Sequence, residues 1–195
     1  MTETELKAVV DDLALRRRLV EEGGGVLEKE GYLQDRRWDT EEETIRARDH
    51  VLRIRVFNGR SGTRSGTEAS LEWKGPTRAE NGYKLREEIG TTVGDATALS
   101  EMMERLGLQV TRTIDRDIVQ FRLRGATVRF ETYPRMDILV EVEGTAAQIE
   151  EAVAVIGLPR AAYTADSLPE FMARYEQRTG KRPVVCAADL DDEEW

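Results

Sequence analysis

Residues 2–10 read Thr-Glu-Thr-Glu-Leu-Lys-Ala-Val-Val, and charged and apolar side chains alternate along them. Glu3, Glu5 and Lys7 fall on one parity, whereas Leu6 and its even-numbered neighbours carry little charge. A period of two sends successive side chains to opposite faces of a β-strand. The stretch therefore predicts a strand with one charged face and one apolar face.

The same alternation recurs in five later segments of the chain. Their charged parity carries the sets Arg53 and Arg55; Glu72 and Lys74; Lys84, Arg86 and Glu88; Arg129 and Glu131; Glu141 and Glu143. The opposite parity is apolar, as at Leu52, Ile54 and Val142. For a single strand, a solvated face with cross-strand ion pairs explains such charges. Recurrence over six strands favours a curled sheet whose charged face lines an interior.

The remaining patterns place these strands in an α+β fold. Alternating segments predict strands at 26–39, 50–57, 68–74, 83–89, 109–115, 117–124, 127–132 and 138–143, with a flexible loop at 58–67. Helical spacing and glycine stops predict helices after Asp11 and at 95–106, 145–156 and 168–178. This succession is typical of a large antiparallel sheet with flanking helices. We expect one domain over residues 1–180 and an acidic C-terminal tail over residues 181–195.

The composition restricts the chemistry and the partners. The 195 residues include 38 Asp and Glu against 29 Lys and Arg, a net charge of -9, which argues against nucleic acid and anionic membranes as partners. His50 and Cys186 are the single histidine and cysteine, so a disulfide, a thiolate cluster and a His-rich metal site are excluded. Carboxylates, lysines, arginines and hydroxyls remain for catalysis. No signal peptide or apolar membrane span is recognisable, so we expect a cytoplasmic protein.

The mixture of charges on the patterned face has a chemical meaning. Clustered arginines and lysines bind polyanions, and arginine makes bidentate phosphate contacts. Carboxylates among them would repel phosphate unless a divalent cation lies between, and Mg²⁺ and Mn²⁺ take oxygen ligands. This combination favours phosphoryl or nucleotidyl transfer. Because no G-x-x-x-x-G-K-[ST] motif is present, strand side chains would hold the phosphates.

The order of several motifs resembles one family. The chain is similar to the CYTH superfamily, the triphosphate tunnel metalloenzymes, and most of all to its class IV adenylyl cyclase-like members. The resemblance covers residues 1–175 and rests on Glu3-Thr4-Glu5-Leu6-Lys7 for E-x-E-x-K, Asp35 with Trp38-Asp39-Thr40, Leu52-Arg53-Ile54-Arg55, Glu72-Trp73-Lys74-Gly75-Pro76, Arg86-Glu87-Glu88, Leu106-Gly107-Leu108 and Glu141-Val142-Glu143-Gly144. Arg37 stands where the family has an aromatic residue, and Glu131 where it commonly has aspartate.

The resemblance implies an eight-stranded antiparallel β-barrel that forms a charged tunnel and works with Mg²⁺ or Mn²⁺. It implies metal ligands at Glu3, Glu5, Glu131, Glu141 and Glu143. It implies triphosphate contacts from Lys7, Arg53, Arg55, Lys74, Arg86, Arg129 and one or both of Arg112 and Arg116. Glu88 would bind metal or orient water, and Lys7 and Arg86 would assist catalysis.

Three functions are compatible with these residues. The leading hypothesis is metal-dependent hydrolysis of a small-molecule triphosphate. The substrate would be inorganic triphosphate, a nucleoside triphosphate or thiamine triphosphate. The alternative is a class IV adenylyl cyclase that converts ATP to cyclic AMP and pyrophosphate. A non-catalytic polyphosphate- or nucleotide-binding module is the third, although a pure anion binder gains nothing from the carboxylates. We expect a monomer or a homodimer.

Overall fold

The computed structural model describes residues 2–60 and 66–190. In chain order the elements there are β1 (Thr2–Val9), α1 (Leu13–Glu22), β2 (Val26–Asp39), β3 (Val51–Gly59), β4 (Gly66–Lys74), β5 (Arg78–Glu80), β6 (Tyr83–Val93), α2 (Ala96–Arg105), β7 (Gln109–Leu123), β8 (Ala126–Thr132), β9 (Leu139–Glu143), α3 (Ala146–Ile156) and α4 (Leu168–Thr179). The predicted loop at 58–67 and the predicted tail at 181–195 lie partly outside the described residues.

Eight strands close into an antiparallel barrel, which confirms the predicted α+β barrel. They follow the order β1-β9-β8-β7-β2-β3-β4-β6, and β1 also pairs with β6. The pairing at the seam places Glu5 opposite Glu143 of β9 and Lys84 of β6. Since a one-residue slip would send every side chain to the other face, this register keeps Glu3, Glu5, Lys7 and the charged residues opposite them in the lumen. The short β5 forms a hairpin with β6 beside the closed ring.

The largest apolar cluster lies outside the barrel, between its wall and the helices. Leu6, Val142 and Phe130 point away from the lumen and are fully or almost fully buried. They pack in one cluster with Ile149 and Ile156 of α3. Helix α3 presents Ile149 and Ile156 on one face, and this face covers the apolar side chains of β1, β8 and β9. The lumen face thus carries most of the charge and the largest apolar cluster lies outside, while Leu33, Phe57 and Ile118 form a small buried apolar cluster on the lumen face.

Side-chain caps set where the helices begin. Asp12 accepts a hydrogen bond from the Leu15 N–H at 3.0 Å, and Asp95 accepts one from Ala98 at 2.9 Å. A capping box that involves Ser167 starts α4. Such caps satisfy N–H groups that have no partner within the helix. They explain why the observed helices start close to the predicted positions.

One boundary prediction was wrong, because residues 109–124 do not contain two strands. A single strand, β7, runs from Gln109 to Leu123 and pairs with β2 over its length. A charged run surrounds Arg116. In the barrel this run stays extended because Arg116 points into the lumen and Asp115 pairs with Arg36 on the outside.

The C-terminal segment completes the wall along the first half of β7, where β8 does not reach. The Asp115 N–H donates to the Val185 carbonyl at 2.7 Å, and Val184 forms a bridge with Arg135. Phe171 of α4 and Val185 are buried beside Ile114 in a second apolar cluster. Helix α4 is therefore held against one end of the barrel. Within the described chain, no helix combines the length and apolar composition needed to cross a bilayer.

The position of the core leads to a stability prediction for Leu6→Ala. Leu6 is fully buried, so its truncation should lower the free energy of unfolding by about 2–5 kcal/mol. Leu106→Ala is a matched control, because the Leu106 side chain lies at the end of α2 and is 77% exposed. This substitution should change the free energy of unfolding by about 0.5 kcal/mol or less. Urea denaturation followed by circular dichroism measures both. Equal losses would contradict a core that lies outside the barrel.

Candidate active site

A charged passage runs through the barrel. Two cavities, of about 720 Å³ and about 530 Å³, open within it. Both are lined by Arg53, Arg55, Lys74 and Arg129, so these four side chains form the boundary between the two ends of one passage. We call the end with the larger cavity the wide end and the other the narrow end. Every predicted site residue lines one cavity or both.

Three carboxylates gather close to one another near the narrow end. Carboxylate oxygens of Glu3, Glu5 and Glu143 lie within 4.8 Å of one another. We call these three residues the carboxylate cluster. Burial raises the pKa of Glu143 to about 7, and the nearby Glu3 and Glu5 add to the rise while Arg129 opposes it. Burial is thus the main cause of this rise, and each carboxylate of the cluster also forms an ion pair with a lysine or an arginine.

The cluster has the donor chemistry of a divalent-metal site. Mg²⁺ and Mn²⁺ prefer carboxylate oxygens, and a cation would relieve the repulsion from Glu3 and Glu5 that adds to the effect of burial on the pKa of Glu143. Lysines lie on its other side: Glu5 accepts from Lys7 at 2.9 Å and from Lys84 at 2.6 Å. Burial alone would raise the pKa of Glu5, but these two ammonium groups hold it well below its ordinary value. Glu5 is therefore ionised and able to ligate a cation.

The other two predicted metal ligands lie among cations instead. Glu131 accepts hydrogen bonds from Arg116 at 2.8 Å and from the Tyr133 hydroxyl at 2.7 Å. Glu141 pairs with Lys7 and Arg129. In the described arrangement, both acids neutralise and position the cations of the tunnel wall. Their assignment as metal ligands stays a prediction.

Glu88 lies next to the cluster, and the pKa of its carboxyl group is raised. It pairs with Lys74, whose ammonium also donates to Glu3 at 2.9 Å. Burial, together with a hydrogen bond shared with Glu3, raises the pKa of Glu88 to about 7. A carboxylate with this pKa can exchange a proton near neutral pH.

A buried aspartate that the site prediction did not include organises the arginines. Asp35 is 1% exposed and pairs with Arg55 at 2.9 Å, Arg116 at 3.1 Å and Arg53 at 3.5 Å. Burial alone would raise the pKa of Asp35, but the three guanidinium groups hold it well below its ordinary range. The sequence pattern could have identified Asp35, because it lies on the same face of β2 as Asp39. Lys84 is a second lumen residue that the site prediction did not include, although it shares a face of its strand with Arg86.

The wide end is bordered by a loop that Asp39 holds in place. The Asp39 carboxylate accepts from the backbone N–H groups of Thr40, Ile45 and Arg46 at 2.8, 2.9 and 2.8 Å. Arg86 supports the same loop by donating to the Asp49 carbonyl at 2.6 Å. These contacts fix the loop, and its residues Glu43, Arg46 and Asp49 line the larger cavity.

We predict that Asp35→Asn destabilises the protein. Three arginines would lose a buried counter-ion, so the free energy of unfolding should fall by about 3–5 kcal/mol at neutral pH. Because the folded-state pKa of Asp35 is lowered, its stabilisation is complete above the unfolded value of about 3.9 and disappears as the pH falls through the folded value. Asp117→Asn, at a half-exposed pair with Arg60, is the control and should cost about 1 kcal/mol or less. Denaturation at several pH values tests this, and a large loss in the control alone would contradict it.

A second prediction concerns metal binding. Saturating Mn²⁺ should raise the melting temperature by several degrees, because a ligand that binds only the folded state stabilises it by about 2.7 kcal/mol at 100 times Kd. Glu143→Gln should remove most of this rise, whereas Glu104→Gln, on the exposed face of α2, should keep it. Thermal denaturation with and without Mn²⁺ measures the effect. An undiminished rise in Glu143→Gln would place the metal elsewhere.

Comparisons with known proteins agree with this architecture. The model of the CYTH domain matches residues 1–152. A proposed adenylate cyclase from Vibrio parahaemolyticus superposes with a TM-score of 0.73 at 18% identity, over 89% of this chain and 98% of that one. A Pyrococcus horikoshii protein gives 0.67 at 22% identity, over 88% and 98%. A proposed adenylyl cyclase from Hippeastrum, described as having a dominant triphosphatase activity, gives 0.60 at 16% identity, over 92% and 96%. No curated protein matches the sequence significantly.

Proposed function

This chain belongs to the CYTH domain family, and from that membership and the tunnel we propose that it is a divalent-metal-dependent triphosphatase. The observation that carries the proposal is the separation of charge inside one passage. A carboxylate cluster lies near the narrow end, and a belt of arginines and lysines continues from it to the wide end. A triphosphate with a bound divalent cation matches both parts.

The cations would hold the phosphates. Arg53, Arg55, Lys74 and Arg129 line both cavities and surround the middle of the passage. Their present partners are acids such as Glu72, which lies 2.7 Å from Arg53. A polyanion would compete with these acids for the same donors, so binding exchanges one set of ion pairs for another. Arginine is suited to this because its planar fork makes two parallel hydrogen bonds to phosphate.

Glu3, Glu5 and Glu143 would hold the divalent ion, which supplies charge neutralisation on the phosphate oxygens. Glu88 would orient the attacking water and accept its proton, since its pKa is about 7. Lys74 lies between Glu3 and Glu88 and would stabilise the negative charge that develops on the transferred group. Mg²⁺ and Mn²⁺ are both suited to the oxygen donors.

A class IV adenylyl cyclase reaction is the second candidate. Two structural neighbours are described as proposed adenylyl cyclases, and the wide end has a cavity of about 720 Å³ beside the cations. In that reaction the ribose 3′-oxygen attacks the α-phosphorus and pyrophosphate leaves. A binding module without turnover is the third reading, and the carboxylate cluster argues against it because acids weaken the binding of a bare anion.

Product analysis should separate these functions. The protein is incubated with tripolyphosphate, ATP and thiamine triphosphate, each with Mg²⁺ or Mn²⁺ and again with a chelator. We expect orthophosphate that depends on metal, and kcat/KM lower by about 100-fold or more in Glu3→Gln because it removes a metal ligand. Glu104→Gln is the exposed control and should retain activity. Cyclic AMP from ATP would establish the cyclase instead, and metal-independent binding without product would establish the binding module.

A further inference from the structure

The side chain of Arg86 has different partners from most cations of the tunnel. Arg53 and Lys74, for example, each form a close ion pair with a carboxylate of the lumen. In the described part of the chain, the hydrogen bonds of Arg86 go to two backbone carbonyls instead. Its Nε donates to the Gly75 carbonyl at 2.7 Å, and its Nη2 donates to the Asp49 carbonyl at 2.6 Å. Carbonyl groups fix the plane of the guanidinium without neutralising its charge.

The two carbonyls belong to two loops at the wide end. We call residues 40–50, between β2 and β3, the first loop, and residues 75–77, between β4 and β5, the second loop. Asp49 lies in the first loop and Gly75 in the second. Arg86 lines the larger cavity from β6 and is bonded to both loops. Its other N–H groups have no hydrogen bond to any residue that the structure describes, so they remain for a ligand.

Asp49 also joins the two loops directly. One oxygen of its carboxylate, Oδ2, accepts from the Thr77 N–H at 2.5 Å. The other, Oδ1, lies 3.7 Å from Arg86 Nη2, and because the Asp49 side chain is 57% exposed, this ion pair is weak. Asp49 therefore influences the position of Arg86 mainly through its carbonyl group and its bond to Thr77, and less through its charge.

The backbone of Asp49 has a conformation that few residues adopt. Its φ of 56° and ψ of 31° lie in the left-handed region. Aspartate and asparagine tolerate this region, whereas alanine is strained in it. Strain of this kind persists only where surrounding contacts maintain it, and it is frequent at functional sites. The contacts to Thr77 and Arg86 maintain it here.

Trp73 of β4 contacts both loops. Its ring lies edge-on to that of His50, the residue after Asp49, with 5.2 Å between the ring centroids. At Gly75 an added Cβ atom would lie 3.1 Å from the same indole ring, which is closer than an ordinary contact. The two loops thus rest on one aromatic side chain, and Arg86 has little freedom to turn once both are in place.

We propose that Asp49 is a positioning residue for the triphosphatase reaction and that it acts through Arg86. Asp49 holds the guanidinium in the larger cavity, so that its remaining N–H groups meet the substrate without first leaving a carboxylate. The inference rests on the proposed function, because it concerns how that same site meets its triphosphate. Arg53 and Lys74 must exchange an acid for a phosphate, whereas Arg86 is preorganised. Preorganised donors stabilise a transition state without reorganisation at the moment of reaction.

A double-mutant cycle tests whether Asp49 acts through Arg86. kcat and KM for tripolyphosphate with Mn²⁺ are measured in the wild type, Asp49→Ala, Arg86→Met and the double variant. We expect Asp49→Ala to lower kcat/KM about 10-fold, as expected when one hydrogen bond to a charged group is lost. In the Arg86→Met background the same change should have little further effect, because the two residues form one network. Glu42→Ala, exposed on the first loop, is the matched control and should retain the wild-type values.

Two further variants separate position from charge and from folding. Asp49→Asn keeps an oxygen for the Thr77 N–H and tolerates the left-handed backbone, so kcat/KM should stay within about threefold of the wild type. Asp49→Gly removes the strain together with the side chain. It should therefore keep the melting temperature of the wild type and still lose activity like Asp49→Ala.

The Nε–H group of Arg86 supplies a readout that does not depend on turnover. Its proton signal in nuclear magnetic resonance spectra is assigned by its disappearance in Arg86→Met. Because Nε donates to the Gly75 carbonyl, this proton should exchange slowly with water in the wild type and in Asp49→Asn. It should exchange faster in Asp49→Ala and Asp49→Gly, where the first loop no longer holds the guanidinium.

Several outcomes would overturn the inference. These are additive losses in the double-mutant cycle, an Asp49→Asn variant as impaired as Asp49→Ala, or wild-type activity and unchanged proton exchange in both Asp49→Ala and Asp49→Gly. If the wild type hydrolyses a triphosphate and the cycle is additive, the proposed function stands and the role of Asp49 fails. If the wild type converts no triphosphate, the proposed function fails, and proton exchange still decides whether Asp49 holds Arg86 in place.

Discussion

The ion pairs inside the barrel are the constraint on which the rest of the structure depends. A buried charge is tolerated only with a partner, and Asp35 supplies one for Arg53, Arg55 and Arg116 at once. Buried ion pairs contribute little net stability, because desolvation offsets their attraction. The lumen is therefore prepared for binding, and the energy that keeps it folded must come from elsewhere.

That energy comes from the outer face of the same strands. The parity that sends Glu5 and Lys7 inward sends Leu6 outward, where α3 covers it. Burial of apolar surface is the main favourable contribution to folding, at about 25 cal/mol per Å². The helices of this protein thus stabilise a tunnel from outside, and the lumen is free to vary in charge. A polar lumen and a stable barrel are compatible only because strand side chains alternate.

The acidic and the basic side chains of the lumen occupy different parts of the passage, and this separation underlies the functional proposals. The grouped oxygens of the carboxylate cluster suit a divalent cation, and the arginines and lysines that line the rest of the passage suit an anion. Several of these cations have an acid partner that a phosphate can displace. Phosphoryl transfer needs this type of environment, because positioning and charge neutralisation provide most of the rate enhancement. The same separation makes the two ends of the passage chemically different.

Much of this was predictable from the sequence, because side-chain parity along a strand is a local property. The strict alternation in residues 2–10 and around Arg53 and Glu141 predicted a charged face, an apolar face and a curled antiparallel sheet, and the family resemblance implied the eight-stranded barrel. What the sequence could not determine is which charges meet across strands. Three features depend on register and barrel closure: the grouping of Glu3 and Glu5 with Glu143 but not Glu131, the role of Asp35, and the continuity of β7 through Arg116. The tertiary structure alone decided these, because ionic interactions act between residues that are distant in sequence and only a closed sheet brings them within reach.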